Sequence, residues 1–292
     1  MLWIAATLIA SAAQTARNAA QRGLTAQVGT MGATAVRFIF GLPFAAAFLA
    51  LWSLWKPIPL PDLTVLGWVV LGSTAQIAAT ALMLLTMKTR GFGVTTALLK
   101  TEPVTLALIG ALILSEPLGP ARLAAIGTAT LGVMLISGTD WRGGGWRAVT
   151  LGIGAGVLFG LSAIGFRGGI LALPNGDQAT RAATVLLISL SLQSLIMLIW
   201  LGAADRRALT GIARNWRDSL RAGFLGAFAS LFWFLGFALT AAANVRTLAL
   251  VEVLMAQLVS GRILREGTRP RQLVGMAMVV AGVAGLIAVS AR

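Results

Sequence analysis

The sequence predicts an all-α polytopic membrane protein of ten transmembrane helices, arranged as two inverted five-helix repeats. Three observations carry this. The chain is 58% hydrophobic and only 11% charged, with a mean hydropathy of +0.87, far outside the range of soluble domains. It contains ten apolar runs of about twenty residues, each long enough to cross a bilayer as a helix. It also aligns on itself without a gap at an offset of 150 residues, so that Glu102 falls on Glu252.

Segment 1 (2–20) places Thr7, Ser11, Gln14 and Asn18 at three- and four-residue steps, one face of a helix. It has no basic leader and contains Gln14 and Arg17, so it reads as a span rather than a cleavable signal. Segment 2 (31–52) stops before Lys56-Pro57-Ile58-Pro59. Segment 3 (63–86) has a shorter polar stripe, Ser73, Gln76 and Thr80, and ends before Arg90-Gly91. Segment 4 (92–114) holds Lys100, Glu102 and Pro103 and stops at Glu116-Pro117. Segment 5 (121–138) leads into the glycine-rich stretch Trp141–Trp146. Segment 6 (148–170) carries Gly152, Gly156 and Gly160, spaced to admit a neighbouring helix closely. Segment 7 (180–202) lies between Pro174-Asn175-Gly176 and the polar run Asp205–Arg217. Segment 8 (218–240) holds Trp233 among Phe228, Phe232, Phe234 and Phe237. Segments 9 (244–264, with Glu252) and 10 (270–290) complete the set. Eight of the nine tryptophans (3, 52, 55, 68, 141, 146, 200 and 216) fall at segment ends or in loops, where the amphipathic indole prefers the membrane interface.

Residues 97–137 laid on 247–287 match at ten positions, among them Leu98/Leu248, Glu102/Glu252, Glu116/Glu266, Pro120/Pro270, Gly132/Gly282 and Val133/Val283. The first helix obeys the same offset in Ala5/Ala155, Leu8/Leu158, Ala13/Ala163 and Arg17/Arg167. Five spans per half is an odd number, so the second half enters the membrane with the opposite orientation, about a pseudo-two-fold axis in the membrane plane. The seam falls in the Thr139–Arg147 loop, which predicts repeats over 1–142 and 143–292.

The chain has no cysteine, histidine or tyrosine. Disulfides, thiolate metal sites and the usual imidazole ligand are therefore excluded, and neither a metal nor a cofactor is expected. The net charge of +14 would suggest nucleic acid in a soluble chain. Here the basic residues sit at segment ends, which points to loops on an anionic membrane face and to lipid, not nucleic acid, as their partner.

The polar residues at depth are the candidate site. Glu102 lies about ten residues into segment 4, on the order of 15 Å from its start. A charge there costs several kcal/mol unless paired, hydrated or protonated. It is either functional or a structural carboxylate bonded to a neighbouring helix or to Arg17, and the repetition of the cost at Glu252 favours function. Low dielectric favours a neutral carboxylic acid, which opens the way to proton coupling. Lys100 is two residues from Glu102, about 200° around a helix, so the two should not pair, and either could face a cavity. Pro103 frees a carbonyl one turn earlier and is the candidate hinge. Gln14 and Gln76 represent the polar stripes, read as lining rather than as interhelical glue. Trp233 needs a partner for its indole N–H, which argues for a protein-facing or cavity-facing ring. Arg17 and Arg167 read as snorkelling to the interface, with an anion-attracting rim as the alternative. Arg37 reads as an interfacial anchor.

Ala35-Val36-Arg37-Phe38 at the opening of segment 2, Glu102-Pro103, and the stretch LSEPLGPARLAAIGTATLGVMLIS resemble the drug/metabolite transporter superfamily, in its ten-helix EamA branch. The resemblance covers nearly the whole chain. It implies an α-helical secondary transporter that exports or exchanges small metabolites through a central cavity lined by helices 1, 3, 4, 6, 8 and 9. The second half departs from the pattern. It has Glu-Val at 252–253 where the first has Glu-Pro, and Gly267 where the first has Pro117, so the two halves are expected to flex unequally.

Basic residues distribute unevenly: fifteen flank the loops 1–2, 3–4, 5–6, 7–8 and 9–10, against six on the other side. The charge rule puts the richer side in the cytoplasm and both termini outside; the resemblance implies termini inside. The expected location is a bacterial cytoplasmic (inner) membrane. A membrane-embedded enzyme would need a nucleophile, base or metal set that isolated carboxylates do not supply. A scaffold or lipid-handling protein is the remaining alternative to a transporter. No Walker-type phosphate loop appears, so ATP is not expected to drive it. Carboxylates, cations and an aromatic suit a zwitterion such as an amino acid, or an amphiphilic cation, carried by a monomer or homodimer.

Overall fold

The computed structural model describes residues 1–89, 99–137, 146–254 and 270–290. The seam loop up to residue 145, the first part of segment 4, the second part of segment 9 with Glu266 and Gly267, and Arg90, Arg142, Arg262, Arg265, Arg269 and Arg292 lie outside the described residues. Every regular element described is a helix. In chain order these are α1 (Leu2–Ile39), α2 (Leu42–Ser53), α3 (Leu63–Thr89), α4 (Glu102–Leu114), α5 (Pro120–Ser137), α6 (Trp146–Ala172), α7 (Gln178–Ala204), α8 (Arg206–Arg214), α9 (Trp216–Leu239), α10 (Ala242–Leu248) and α11 (Pro270–Ser290). Among the described residues, seven helices are long and apolar enough to cross a membrane, and α4 is a shorter apolar helix.

Three elements differ from the sequence reading. Segments 1 and 2 meet inside α1 at Gly29, whose φ of 72° and ψ of 173° break the helix, a conformation that glycine adopts without a Cβ penalty. Segment 2 is itself broken at Phe40–Gly41 before α2. The polar run after segment 7 is not a loop but the short helix α8, started by Asp205, whose carboxylate accepts from the Ala208 N–H.

The chain divides into two compact units that do not coincide with the sequence halves: Met1–Thr74 with Gly165–Thr240, and Ala75–Ile164 with Ala241–Arg292. In the first unit α1 packs on α9, and α7 packs on α2 and α9. Its core includes the fully buried Phe38, Phe166 and Phe237, with Phe166 and Phe234 rings 4.7 Å apart. Backbones close up where α3 meets α6: a Cβ on Gly165 would sit 2.5 Å from the Gly72 nitrogen, and one on Gly168 would strike the Trp68 ring at 2.5 Å. Trp68 therefore lies against protein, and Trp3 is buried. Trp52, Trp55, Trp200 and Trp216 are exposed, as interface residues should be. Of the G-x-x-x-G glycines, Gly160 packs on α4 beside Thr105 and Leu106 within the second unit.

In the second unit the main contact is α5 against α11, and here the internal repeat becomes geometry. A Cβ on Gly132 would meet the Gly275 carbonyl at 2.6 Å and the Val279 nitrogen at 2.8 Å. A Cβ on Gly282 would meet the Ala125 carbonyl at 2.7 Å and the Ala129 nitrogen at 2.6 Å. Adding 150 to 125, 129 and 132 gives 275, 279 and 282, so each contact maps onto the other with the halves exchanged. Such exchange is the property of a two-fold relation between the repeats.

Two measurements check this account. Gly132→Ala and Gly282→Ala should each lower thermal stability in detergent by roughly 1–3 kcal/mol through overpacking. Gly127→Ala, on the same helix with open space around its Cβ position, should be neutral or stabilising by up to about 1 kcal/mol. At the start of α7, the Asp177 carboxylate accepts from the Thr180 N–H at 2.8 Å and from its hydroxyl at 2.7 Å. These bonds hold its pKa below the ordinary 3.8. A lowered carboxylate pKa stabilises the fold above the unfolded value and loses that stabilisation as pH falls through the folded one. Asp177→Ala should cost about 1 kcal/mol at neutral pH, and the gap to the natural chain should close below pH 3.8.

Candidate functional site

The helices of segments 4 and 9 are both interrupted. α4 begins at Glu102, after a turn at Lys100–Thr101, with Pro103 buried at its start. The ring lacks an N–H, which an initial helical turn does not need. Glu102 is thus in the first turn of a helix rather than in the middle of one, a correction to the continuous segment 4 of the sequence reading. α10 ends at Leu248, the chain turns at Ala249–Leu250, and helix resumes over 251–254. The Leu250 and Val253 N–H groups donate three residues back, to the Thr247 and Leu250 carbonyls, the tighter bonding of a broken helix. Position 250 is the repeat partner of Lys100, so the two breaks fall at matched places. The second occurs without proline, since Val253 stands where Pro103 does.

Beside these breaks lie four charged side chains in two crossed pairs. Lys100 Nζ donates to Glu252 Oε1 at 2.5 Å. Arg246 Nε lies 3.2 Å from Glu102 Oε1, an ion pair whose N–H is not aimed along a hydrogen bond. Each pair takes its cation from one repeat and its carboxylate from the other. Lys100 and Glu102 do not pair, as the helical angle requires. The partner of Glu102 is Arg246 of segment 9, not Arg17. All four side chains are 17–22% accessible, intermediate between a sealed core and solvent.

Arg246 is the functional candidate that sequence reasoning missed, counting it as a loop cation. The repeat contained the signal. Leu250 occupies the Lys100 position, and Arg246 lies four residues earlier, one turn back on the same helix face. The longer guanidinium restores from there the cation that leucine lacks. α10 is otherwise buried around Arg246, and Asn244 Nδ2 donates to Ser290 Oγ at 3.3 Å, tying it to α11.

A second polar cluster lies in the first unit. Trp233 is buried, and its Nε1–H donates to Gln14 Oε1 at 3.2 Å, so two candidates 219 positions apart meet. Arg167 does not snorkel: its guanidinium donates to the Phe237 carbonyl and, at 2.7 Å, to the Thr240 carbonyl, closing the C-terminal end of α9. Arg17 is buried at 9% exposure, with its Cδ within 3.5 Å of where a Gly226 Cβ would stand, and is equally no interfacial residue. Thr7 and Thr80 are buried with their hydroxyls on their own helices, at the Trp3 and Gln76 carbonyls. Gln76 is half-buried on the part of α3 within the second unit. The side chain of Asn18 lies outside the described residues. Among the described residues no group of three or more metal-ligating side chains occurs.

The EamA-like transporter family model matches residues 1–138 and 146–288, and the chain belongs to that family. It is an integral membrane protein built from two repeated halves. No curated protein matches it. It is similar to a protein of known crystal structure, at 17% identity with a TM-score of 0.69, over 99% of this chain and 98% of that one, a likeness of fold.

The crossed pairs make an energetic prediction. Removing one partner leaves a poorly hydrated charge, which costs more than the pair's net worth. Lys100→Met and Glu252→Gln should each destabilise the protein, and the double variant should recover part of the loss. A double-mutant cycle on thermal unfolding should give a coupling of about 1–3 kcal/mol, with a similar value for Arg246→Met with Glu102→Gln. Additive losses would show that the charges do not interact.

Proposed function

We propose that this EamA-like transporter is a secondary carrier of a small zwitterionic metabolite such as an amino acid, exporting or exchanging it across the bacterial cytoplasmic membrane. The observation that carries the reading is the charge balance beside the two helix breaks: Lys100 and Arg246 against Glu252 and Glu102. A solute with one ammonium and one carboxylate can insert into one pair, its ammonium on the glutamate and its carboxylate on the lysine or arginine, and leave no charge alone. An amphiphilic cation would leave one cation of the protein displaced and uncompensated, at a cost of several kcal/mol. Interrupted helices at membrane depth support the same reading, because unwound backbone is tolerated there only where it faces protein or a water-filled cavity.

In this reading ten spans form two inverted repeats, 1–142 and 143–292, and the halves rock about the breaks, with Pro103 as the hinge of the first. Glu102, Glu252, Lys100 and Arg246 hold the charged ends of the solute and Gln76 of the same unit adds polar surroundings; Gln14 and Trp233 are a separate candidate contact for solute within the first unit. One glutamate binds a proton from one side and releases it when the ammonium of the solute arrives, which couples transport to a proton gradient. The charge rule still favours both termini outside once Arg17, Arg167 and Arg246, which bond or pack within the protein, are removed from the count, leaving fourteen against four.

Counterflow into proteoliposomes loaded with a panel of amino acids, organic cations and organic anions tests the proposal. Zwitterions should exchange without ATP. Glu102→Gln and Glu252→Gln should lower kcat/KM on the order of 100-fold, about 3 kcal/mol, and flatten its dependence on pH. Exchange of a singly charged solute in preference to any zwitterion, or a requirement for ATP, would overturn it.

A further inference from the structure

Outside this cluster a run of charge that lies within the described residues stands between α7 and α9. Residues 205–221 contain five arginines, Arg206, Arg207, Arg214, Arg217 and Arg221, all exposed, with two aspartates. Both aspartates are committed. Asp205 caps α8, and Asp218 lies 3.4 Å from Arg221. Arg206 Nε donates to the Gly202 carbonyl, while Arg217 stacks over the Trp216 ring, 5.4 Å from its centroid. Arg207 and Arg214 are seven residues apart, so they share one face of the helix.

One face of α8 is covered by protein. Ala208 and Ile212 are buried, and the helix is seated closely on α1: a Cβ on Gly211 would stand 3.1 Å from Val28 Cγ1, and one on Gly32 would stand 3.3 Å from Ala208 Cβ. With that face fixed to protein, the arginines are held on the outer side at the end of two membrane-spanning helices. Trp200 and Trp216, which flank α8 in the sequence, are both exposed, and exposed indoles favour the headgroup layer.

We propose that this arginine face of α8 and the start of α9 is a binding site for the headgroups of anionic phospholipids. The chemistry fits: planar guanidinium forks bind phosphate oxygens in a bidentate way, cations near an anionic leaflet gain from its surface potential, and the five arginines of the stretch outnumber its two aspartates. A rigid platform also binds without the ordering cost that a flexible basic loop would incur.

The test uses the full-length protein in nanodiscs of equal parts phosphatidylcholine and phosphatidylglycerol, with retained lipid counted by native mass spectrometry. The natural chain should retain phosphatidylglycerol selectively. The triple variant Arg207→Gln, Arg214→Gln, Arg217→Gln should lose that selectivity by on the order of tenfold, with its thermal stability in neutral-lipid discs unchanged. Arg181→Gln, at the opposite end of α7, should lose none. Equal retention by the triple variant and the natural chain, or an equal loss in Arg181→Gln, would overturn the proposal. Inorganic phosphate alone protecting the natural protein as well as phosphatidylglycerol does would assign the site to free phosphate instead and overturn it too.

Discussion

A carboxylate inside a membrane protein must find a cation, a proton or water, and much of the second unit is arranged around meeting that demand twice. Glu102 and Glu252 are duplicated by the repeat, and each is met by a cation from the other half. Buried pairs of this kind contribute little net stability, because desolvation offsets most of the attraction. Their consequence is specificity: the carboxylates commit the two broken helices to each other and leave a charge-balanced cluster that remains partly accessible.

The crossed pairs also show how a duplicated sequence diverges without losing its physics. The first half places lysine two residues before its glutamate and proline one after; the second has Leu250 and Val253 instead. The cation has moved back one helical turn to Arg246, and the helix break has survived the loss of proline. What is preserved is the sign of charge on one helix face and the place of the turn. Away from the charges the repeat is kept more literally, in the reciprocal seating of Gly132 and Gly282, where a single methyl would strike backbone.

The remaining polar groups divide by how they are satisfied. Thr7 and Thr80 return their hydroxyls to their own helices, and Arg167 closes the end of α9, so these residues serve the fold. Gln14 and Trp233 satisfy each other across two helices through one hydrogen bond. That bond joins α1 to α9, whereas the Arg167 guanidinium is held by backbone carbonyls.

The sequence by itself determined the membrane class, the helical fold, the two-fold repetition and the carboxylates at its centre. These follow from hydropathy, segment length and spacing, which are local or strictly periodic quantities. It also placed Lys100 and Glu102 on different faces, because helical angle is local. It did not reveal the partners. Whether Lys100 meets Glu252, whether Arg246 is a loop cation or the ion-pair partner of Glu102, and whether Arg167 reaches water or backbone all depend on which helices lie side by side. Helix breaks blurred the reading further, since Gly29 and the turns at 100–101 and 249–250 leave an apolar run unbroken in hydropathy while redirecting the chain. Only tertiary structure decided these points, because pairing between residues some 150 positions apart is set by packing and is invisible to any local pattern.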